Sequence, residues 1–193
     1  MNRICVFCGS NPGANPLYLK AAEAVGKFLA AENIELVFGG GRVGLMGKVA
    51  DTVLANGGRV IGVIPESLAV KEIAHQNLTE LHVVNSMHER KAMMADLADG
   101  FVALPGGFGT FEEFCEIVTW AQLGIHQKPC ALLNVSGFYD NFIAMFEFAT
   151  REKFISEAHR GLVLIDSEIE NLYRKMQNFQ PPHIEKWLDK RST

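Results

Sequence analysis

Gly100-Phe-Val-Ala-Leu104 runs straight into Pro105-Gly-Gly-Phe-Gly-Thr110-Phe-Glu-Glu113. The first five residues are strand-length and have no polar alternation. Such a strand is expected where helices cover both faces of a sheet. Pro-Gly-Gly then stops it. Thr110-Phe-Glu-Glu113 has capping-box spacing, which predicts a helix opening there and running to about Leu123. Strand, glycine turn and helix form the repeating unit of a parallel sheet.

The unit recurs in both directions. Strands are predicted at Arg3 to Cys8, Glu35 to Phe38, Arg59 to Ile64, Leu81 to Val84, Pro129 to Leu133 and Leu162 to Ile165. Asn15-Pro16 reads as an N-cap followed by proline at the first helical position, with a helix to about Ala31. Further helices are predicted from Gly44 to Ala55, from the capping box Ser86-Met-His-Glu89 to about Ala98, and from Tyr139 to Arg151. Ser167-Glu-Ile-Glu170 is expected to cap a last helix ending near Asn178. Residues 66 to 80 read as irregular or weakly helical. The alternation predicts an α/β fold, a Rossmann-like doubly wound parallel sheet, in one domain spanning residues 1–193 with a short polar tail from 180.

Composition narrows the function classes. Apolar residues make up 48% of the 193 and charged residues 21%, the balance of a globular chain rather than a disordered one. No apolar run approaches the ~20 residues that span a bilayer. No secretory leader is visible at the N-terminus, so the expected location is cytoplasmic. A net charge of -4 argues against a nucleic-acid polymer as partner, yet leaves room for a small phosphate held by local donors. Cys5 and Cys8 have CxxC spacing. In a strand, residues three apart point to opposite faces, so the pair is expected to be structural. The six histidines show no metal-site spacing, and Met87, Met93 and Met94 read as core.

In a doubly wound sheet, ligands bind beyond the carboxyl ends of the strands. Glycine clusters at two such ends, at Gly39, Gly40, Gly41, Gly44 and Gly47 and at Gly106, Gly107 and Gly109. Glycine there lets a ligand approach the backbone, and the helix that follows offers free N–H groups to an anion. Neither cluster has dinucleotide or Walker spacing. Arg90 lies on the inward stripe with Met93, Met94 and Leu97, near a helix N-terminus where the dipole disfavours a cation. A carboxylate, a phosphate or both would answer it. Two structural readings stand beside this one: Thr110 and Glu113 as a simple capping box, and Arg90 with a glutamate as a simple ion pair.

Pro105-Gly-Gly-Phe-Gly-Thr-Phe-Glu-Glu113 resembles the PGGxGTxxE signature of the LOG ("Lonely Guy") family. Those proteins are cytokinin riboside 5'-monophosphate phosphoribohydrolases, many once labelled lysine decarboxylases. Cys8-Gly-Ser10, Gly39-Gly-Gly-Arg-Val-Gly-Leu-Met-Gly47, Met87-His-Glu-Arg-Lys91 and Thr119-Trp-Ala-Gln-Leu-Gly124 match further family blocks in the same order. The resemblance covers about residues 3 to 180. It implies hydrolysis of the N-glycosidic bond of an adenosine 5'-monophosphate, with or without an N6 substituent, to free base and ribose 5-phosphate. It implies Arg90 and Glu113 as catalytic residues. Substrate contacts would come from Glu72, Arg90, Lys91, Gly107, Phe108, Gly109, Thr110, Phe111, Glu112, Glu113 and Thr119. Arg90 is expected to lower the pKa of Glu113. Neither a metal nor another cofactor is implied, and a homodimer is. The decarboxylase label fits poorly, since no lysine has a recognisable pyridoxal-phosphate context. The alternative is a nucleotide or molybdenum-cofactor carrier of similar fold that performs no hydrolysis.

Overall fold

The computed structural model describes residues 1–69 and 74–182. Seven strands form one all-parallel sheet. They are β1 (Arg3–Phe7), β2 (Glu35–Phe38), β3 (Val60–Pro65), β4 (Glu80–Val84), β5 (Gly100–Ala103), β6 (Cys130–Leu133) and β7 (Val163–Asp166). Their spatial order is β4-β3-β2-β1-β5-β6-β7. The chain thus winds outward from β1 to one edge, returns to β5 and winds out to the other. The reversal between β1 and β5 opens a crevice at their carboxyl ends.

Among the described residues, eight α-helices cover the faces: α1 (Pro16–Ala31), α2 (Gly44–Ala55), α3 (Glu66–Ala69), α4 (Met87–Leu97), α5 (Phe108–Gln122), α6 (Asp140–Arg151), α7 (Glu157–Arg160) and α8 (Ile169–Gln177). Strand alternation sorts the core into two layers. Ile4, Val6 and Cys8 pack with Leu36 and Phe38 under α1, α2 and α8. Cys5 and Phe7 pack with Val37, Ile61 and Val63 under α4 and α5. The two thiols therefore lie on opposite faces, and all four cysteines are unbridged. Among the described residues, no helix is long and apolar enough to cross a membrane.

Local chemistry explains the well-predicted elements. The Asn15 side chain accepts a hydrogen bond from the Leu17 N–H, and Pro16 opens α1. Gly26 lets α1 touch α2, since a Cβ there would stand 2.6 Å from Thr52 Cβ. At the opposite end of the sheet from the crevice, Glu35 accepts from Arg3 at 2.6 Å and from Arg59 at 2.7 Å. This clamp ties the starts of β1, β2 and β3.

Three expectations need correction. Helix α5 starts at Phe108, with Gly107 as its N-cap, so Thr110 lies inside the helix and caps nothing. Its side chain is buried against the Cα of Gly106. Ser167 is not the cap of α8; Glu168 holds that position without a side-chain bond. Helix α7, capped by Ser156, and a 3-10 turn at Val135–Gly137 were not anticipated. The tail from 183 lies outside the described residues.

Candidate active site

The crevice is built from strand ends stapled to one another. Leu104 N–H donates to Phe7 O and Gly9 N–H to Pro105 O, at 2.9 and 3.0 Å. The buried Tyr139 hydroxyl donates to Leu104 O at 2.6 Å. Between the Gly9–Gly13 turn and the Pro105–Gly107 turn lies a cleft of about 270 Å³, walled by Tyr18, Leu45 and Phe138. Helix α5 opens at its rim. Its first intrahelical bond runs from Phe111 N–H to Gly107 O, so the N–H groups of Phe108, Gly109 and Thr110 have no partner within the helix. These donors and the helix dipole favour an anion.

One turn further in, α5 carries Glu113. Its Oε1 lies 3.5 Å from Nη2 of Arg90, and both side chains are about nine-tenths buried. Arg90 comes from the first turn of α4, reached because the Ser86 hydroxyl accepts from the Glu89 N–H. Three further contacts fix its guanidinium. Nε donates to Val63 O at 3.2 Å, at the end of β3. Nη1 lies 3.7 Å from the Met87 sulfur. Nη2 lies so close to Gly39 that a Cβ there would be 1.8 Å away. Met87 is thus not core, as the sequence suggested. It is half-exposed at the site.

Burial raises the Glu113 pKa, and the opposing effect of Arg90 only partly offsets it. The expected lowering by Arg90 is therefore outweighed. A single 3.5 Å approach is a weaker hold than a bidentate pair. The pair consequently presents an acid whose ionised form is costly, on the helix whose N-terminal N–H groups stand open at the cleft rim.

The model of the family described as "Possible lysine decarboxylase" matches residues 46–176. A cytokinin riboside 5'-monophosphate phosphoribohydrolase of Rhodococcoides fascians is 51% identical over 168 residues, covering 86% of this chain and 85% of that one. The chain belongs to the LOG family. An Arabidopsis thaliana enzyme with the same activity in its name is 46% identical, covering 98% of this chain and 89% of its own. The molybdenum cofactor binding protein of Rippkaea orientalis has a TM-score of 0.69 at 23% identity, covering 91% of this chain and 95% of that one. The molybdenum cofactor carrier protein of Chlamydomonas reinhardtii gives 0.66 at 20%, covering 91% and 96%. Likeness at that identity speaks for the fold alone.

The LOG signature is only partly gathered around the pair. Gly107, Phe108 and Gly109 form the open rim of the cleft, with Phe108 93% exposed. Lys91 turns to α5, where its Nζ meets Glu112 at 2.6 Å and Glu116 at 3.0 Å. Burial opposes its charge, but the two carboxylates prevail and raise its pKa. A Schiff-base lysine needs a neutral amine, so Lys91 is ill suited to decarboxylase chemistry. The Phe111 ring packs against Phe142 and against Phe138, a wall of the cleft. Thr119 lies about 9 Å beyond Glu113 along α5, exposed and bonded to Cys115 O. Glu72 lies outside the described residues. Sequence reasoning missed the role of Gly39 as the seat of Arg90. The only signal for it was its membership of the first glycine cluster.

Proposed function

We propose that the protein hydrolyses the N-glycosidic bond of adenosine 5'-monophosphates, with or without an N6 substituent. The observation that carries this reading is the buried Arg90–Glu113 pair beside the open N-terminus of α5. The relatives at about half identity, named for that reaction, support it.

The mechanism follows from charge. As the bond from ribose C1' to the purine nitrogen breaks, its electron pair leaves with the base and positive charge builds on the sugar. Glu113, ionised, stabilises that charge and orients the water that adds at C1'. The N–H groups at Phe108, Gly109 and Thr110 hold the 5'-phosphate and fix the ribose over Glu113. Arg90 holds the carboxylate in place and favours its ionised form. Water's hydroxyl ends on ribose 5-phosphate and its proton balances the departing base. Lys91 and Glu112 act as a brace between α4 and α5 at the edge of the substrate site, while substrate contacts from Glu72 and Thr119 follow from the family resemblance alone.

The reading includes a homodimer in the cytoplasm. Four unbridged cysteines support a reducing compartment. Exposed Phe108, Met145, Phe148 and Phe154 leave apolar surface for a second subunit. Sedimentation tests the dimer. A panel of nucleoside monophosphates, read as ribose 5-phosphate release, tests the reaction. Glu113→Gln is expected to fold and bind AMP but lose turnover by roughly 100-fold or more. Wild-type rates from that variant would remove Glu113 from the mechanism.

A further inference from the structure

We infer that His75 is a positioning residue for the reaction: it braces the Gly39–Gly41 turn on which the Arg90 guanidinium rests. The inference rests on the reading of Arg90 and Glu113 as the reacting pair.

The His75 ring is almost fully buried. Both of its nitrogens are used. Nδ1 lies 3.2 Å from the Asn77 backbone N–H and accepts from it. Nε2 lies 2.9 Å from Asp51 Oδ1 on α2, and since a carboxylate oxygen only accepts, this contact is made with the ring proton on Nε2. With its ring fixed at both ends, the residue presents its backbone N–H to Gly40 O at 2.9 Å. Ala74 forms an isolated antiparallel bridge with Gly41. Ala74 and His75 thus hold Gly41 and Gly40, two successive residues of the glycine turn.

The turn also packs against Ile64 and Leu81, while its backbone bonds run to Ala74 and His75. Gly40 adopts φ +72°, a conformation that few other residues share. Gly39, next to it, is the surface beneath Arg90 Nη2. A shift of the turn would let the guanidinium sink or tilt, and the 3.5 Å approach to Glu113 would change with it. The chain of support runs from Asp51 and Asn77 through the His75 ring to Gly40, then Gly39, then Arg90. The hydrogen bonds of His75 reach Asp51, Asn77 and Gly40, none of which lines the cleft, so its effect should fall on turnover and not on phosphate binding.

The test has two arms. In the first, the Nε–H resonance of Arg90 is followed by NMR in the wild type and in His75→Leu. The bond to Val63 O makes this proton slow to exchange. The variant should shift the resonance and speed its exchange at least several-fold, whatever the protein's substrate. In the second, kcat and KM are measured per folded molecule with AMP. His75→Leu should lower kcat roughly 10- to 100-fold and leave KM within about twofold. His75→Asn, whose amide oxygen replaces the Nδ1 acceptor, should recover part of the loss. In an Arg90→Lys background, His75→Leu should cost no further turnover, whereas a merely structural defect would cost the same in both. Should His75→Leu fail to fold, Asp51→Ala removes one end of the brace at an exposed position and should move both readouts in the same direction. An unmoved Arg90 resonance, or equal losses in both backgrounds, would overturn the inference. A wild type inactive on every nucleotide would instead sink the reaction, leaving the NMR arm to judge the brace.

Discussion

Arg90 Nη2 sits between two neighbours, 3.5 Å from Glu113 Oε1 and in contact with the backbone of Gly39. The first neighbour is an acid and the second is a residue with no side chain. Each limits where Nη2 can lie, while Val63 O holds Nε. A buried guanidinium without a carboxylate would be costly. A guanidinium above any larger residue would have to lie elsewhere. The glycine after β2 thereby becomes part of the site built on α4 and α5.

Gly39→Ala is therefore expected to disable the enzyme without unfolding it. The added Cβ would meet Nη2 at 1.8 Å, so Arg90 must move. Gly39 has no positive φ, so the substitution adds no backbone strain. Overpacking of this kind costs about 1–3 kcal/mol. Displacement of a positioning group by about 1 Å can cost roughly 100-fold in rate. Thermal denaturation together with ribose 5-phosphate release checks both expectations. Normal turnover from a folded variant would show that Arg90 need not lie where it does.

The glycines of the second cluster separate cleanly by cause. A Cβ on Gly106 would stand 2.1 Å from Thr110 Oγ1, so Gly106→Ala should destabilise the protein. A Cβ on Gly107 or Gly109 would meet nothing within 4 Å, and neither residue has a positive φ. The fold does not require glycine at either position. Gly109→Ala should be neutral or slightly stabilising, by up to about 1 kcal/mol, because alanine favours a helix. If the rim holds a phosphate against bare backbone, KM for AMP should nonetheless rise about tenfold in Gly107→Ala and Gly109→Ala. An unchanged KM in both would move the phosphate away from the rim.

Much of this was legible in the sequence where a local rule suffices. The Asn15-Pro16 start of α1 and the Gly39-Gly40-Gly41 stop after β2 follow from chain chemistry alone. So does the inward position of Arg90, which its spacing to Met94 reveals. The N-cap of α5 was read three residues late, at Thr110 instead of Gly107. Thr110 looks like a cap, but the bond from Gly9 N–H to Pro105 O draws the loop toward β1, and the helix begins earlier with Thr110 packed inside. The seat at Gly39 and the brace at His75 join residues far apart in the chain, and no periodicity encodes such pairs. The sign of the Glu113 shift was also beyond reach. It depends on how deeply the carboxyl is buried, not on which cation stands nearby.

At the other end of the sheet, Glu35 should behave as an ordinary stabilising acid. Hydrogen bonding from Arg3, with Arg59 adding to it, outweighs burial and lowers its pKa below 4.5. A lowered folded value means stability that is present above the unfolded value and lost as pH falls through the folded one. Glu35→Gln should cost about 0.5–1 kcal/mol at pH 7, since both arginines are substantially exposed. The difference from wild type should shrink as pH drops below 4.5. Urea denaturation of both proteins across that window checks it. A gap that persists undiminished at pH 2 would mean that packing, and not charge, holds the three strand starts together.

Glu113 should show the opposite sign. Its pKa is raised above a glutamate's ordinary 4.5, with burial as the main cause and Arg90 opposing. As pH rises past 4.5, the unfolded chain releases this proton before the folded chain does, which favours the unfolded state. Stability is thus fully present below the unfolded value and declines until pH passes the folded one. Glu113→Gln cannot titrate there, so wild type should lose ground to it over that window and hold a constant offset above. Parallel denaturation curves of the two proteins report the shift directly. The same proton governs chemistry, because only the ionised carboxylate can stabilise a cationic sugar. The acid limb of kcat/KM, which reports the free enzyme, should accordingly have its midpoint above 4.5. If the stability gap instead moved toward wild type as pH rose, Arg90 would outweigh burial, and Glu113 would enter the reaction as a carboxylate held ionised by its guanidinium partner.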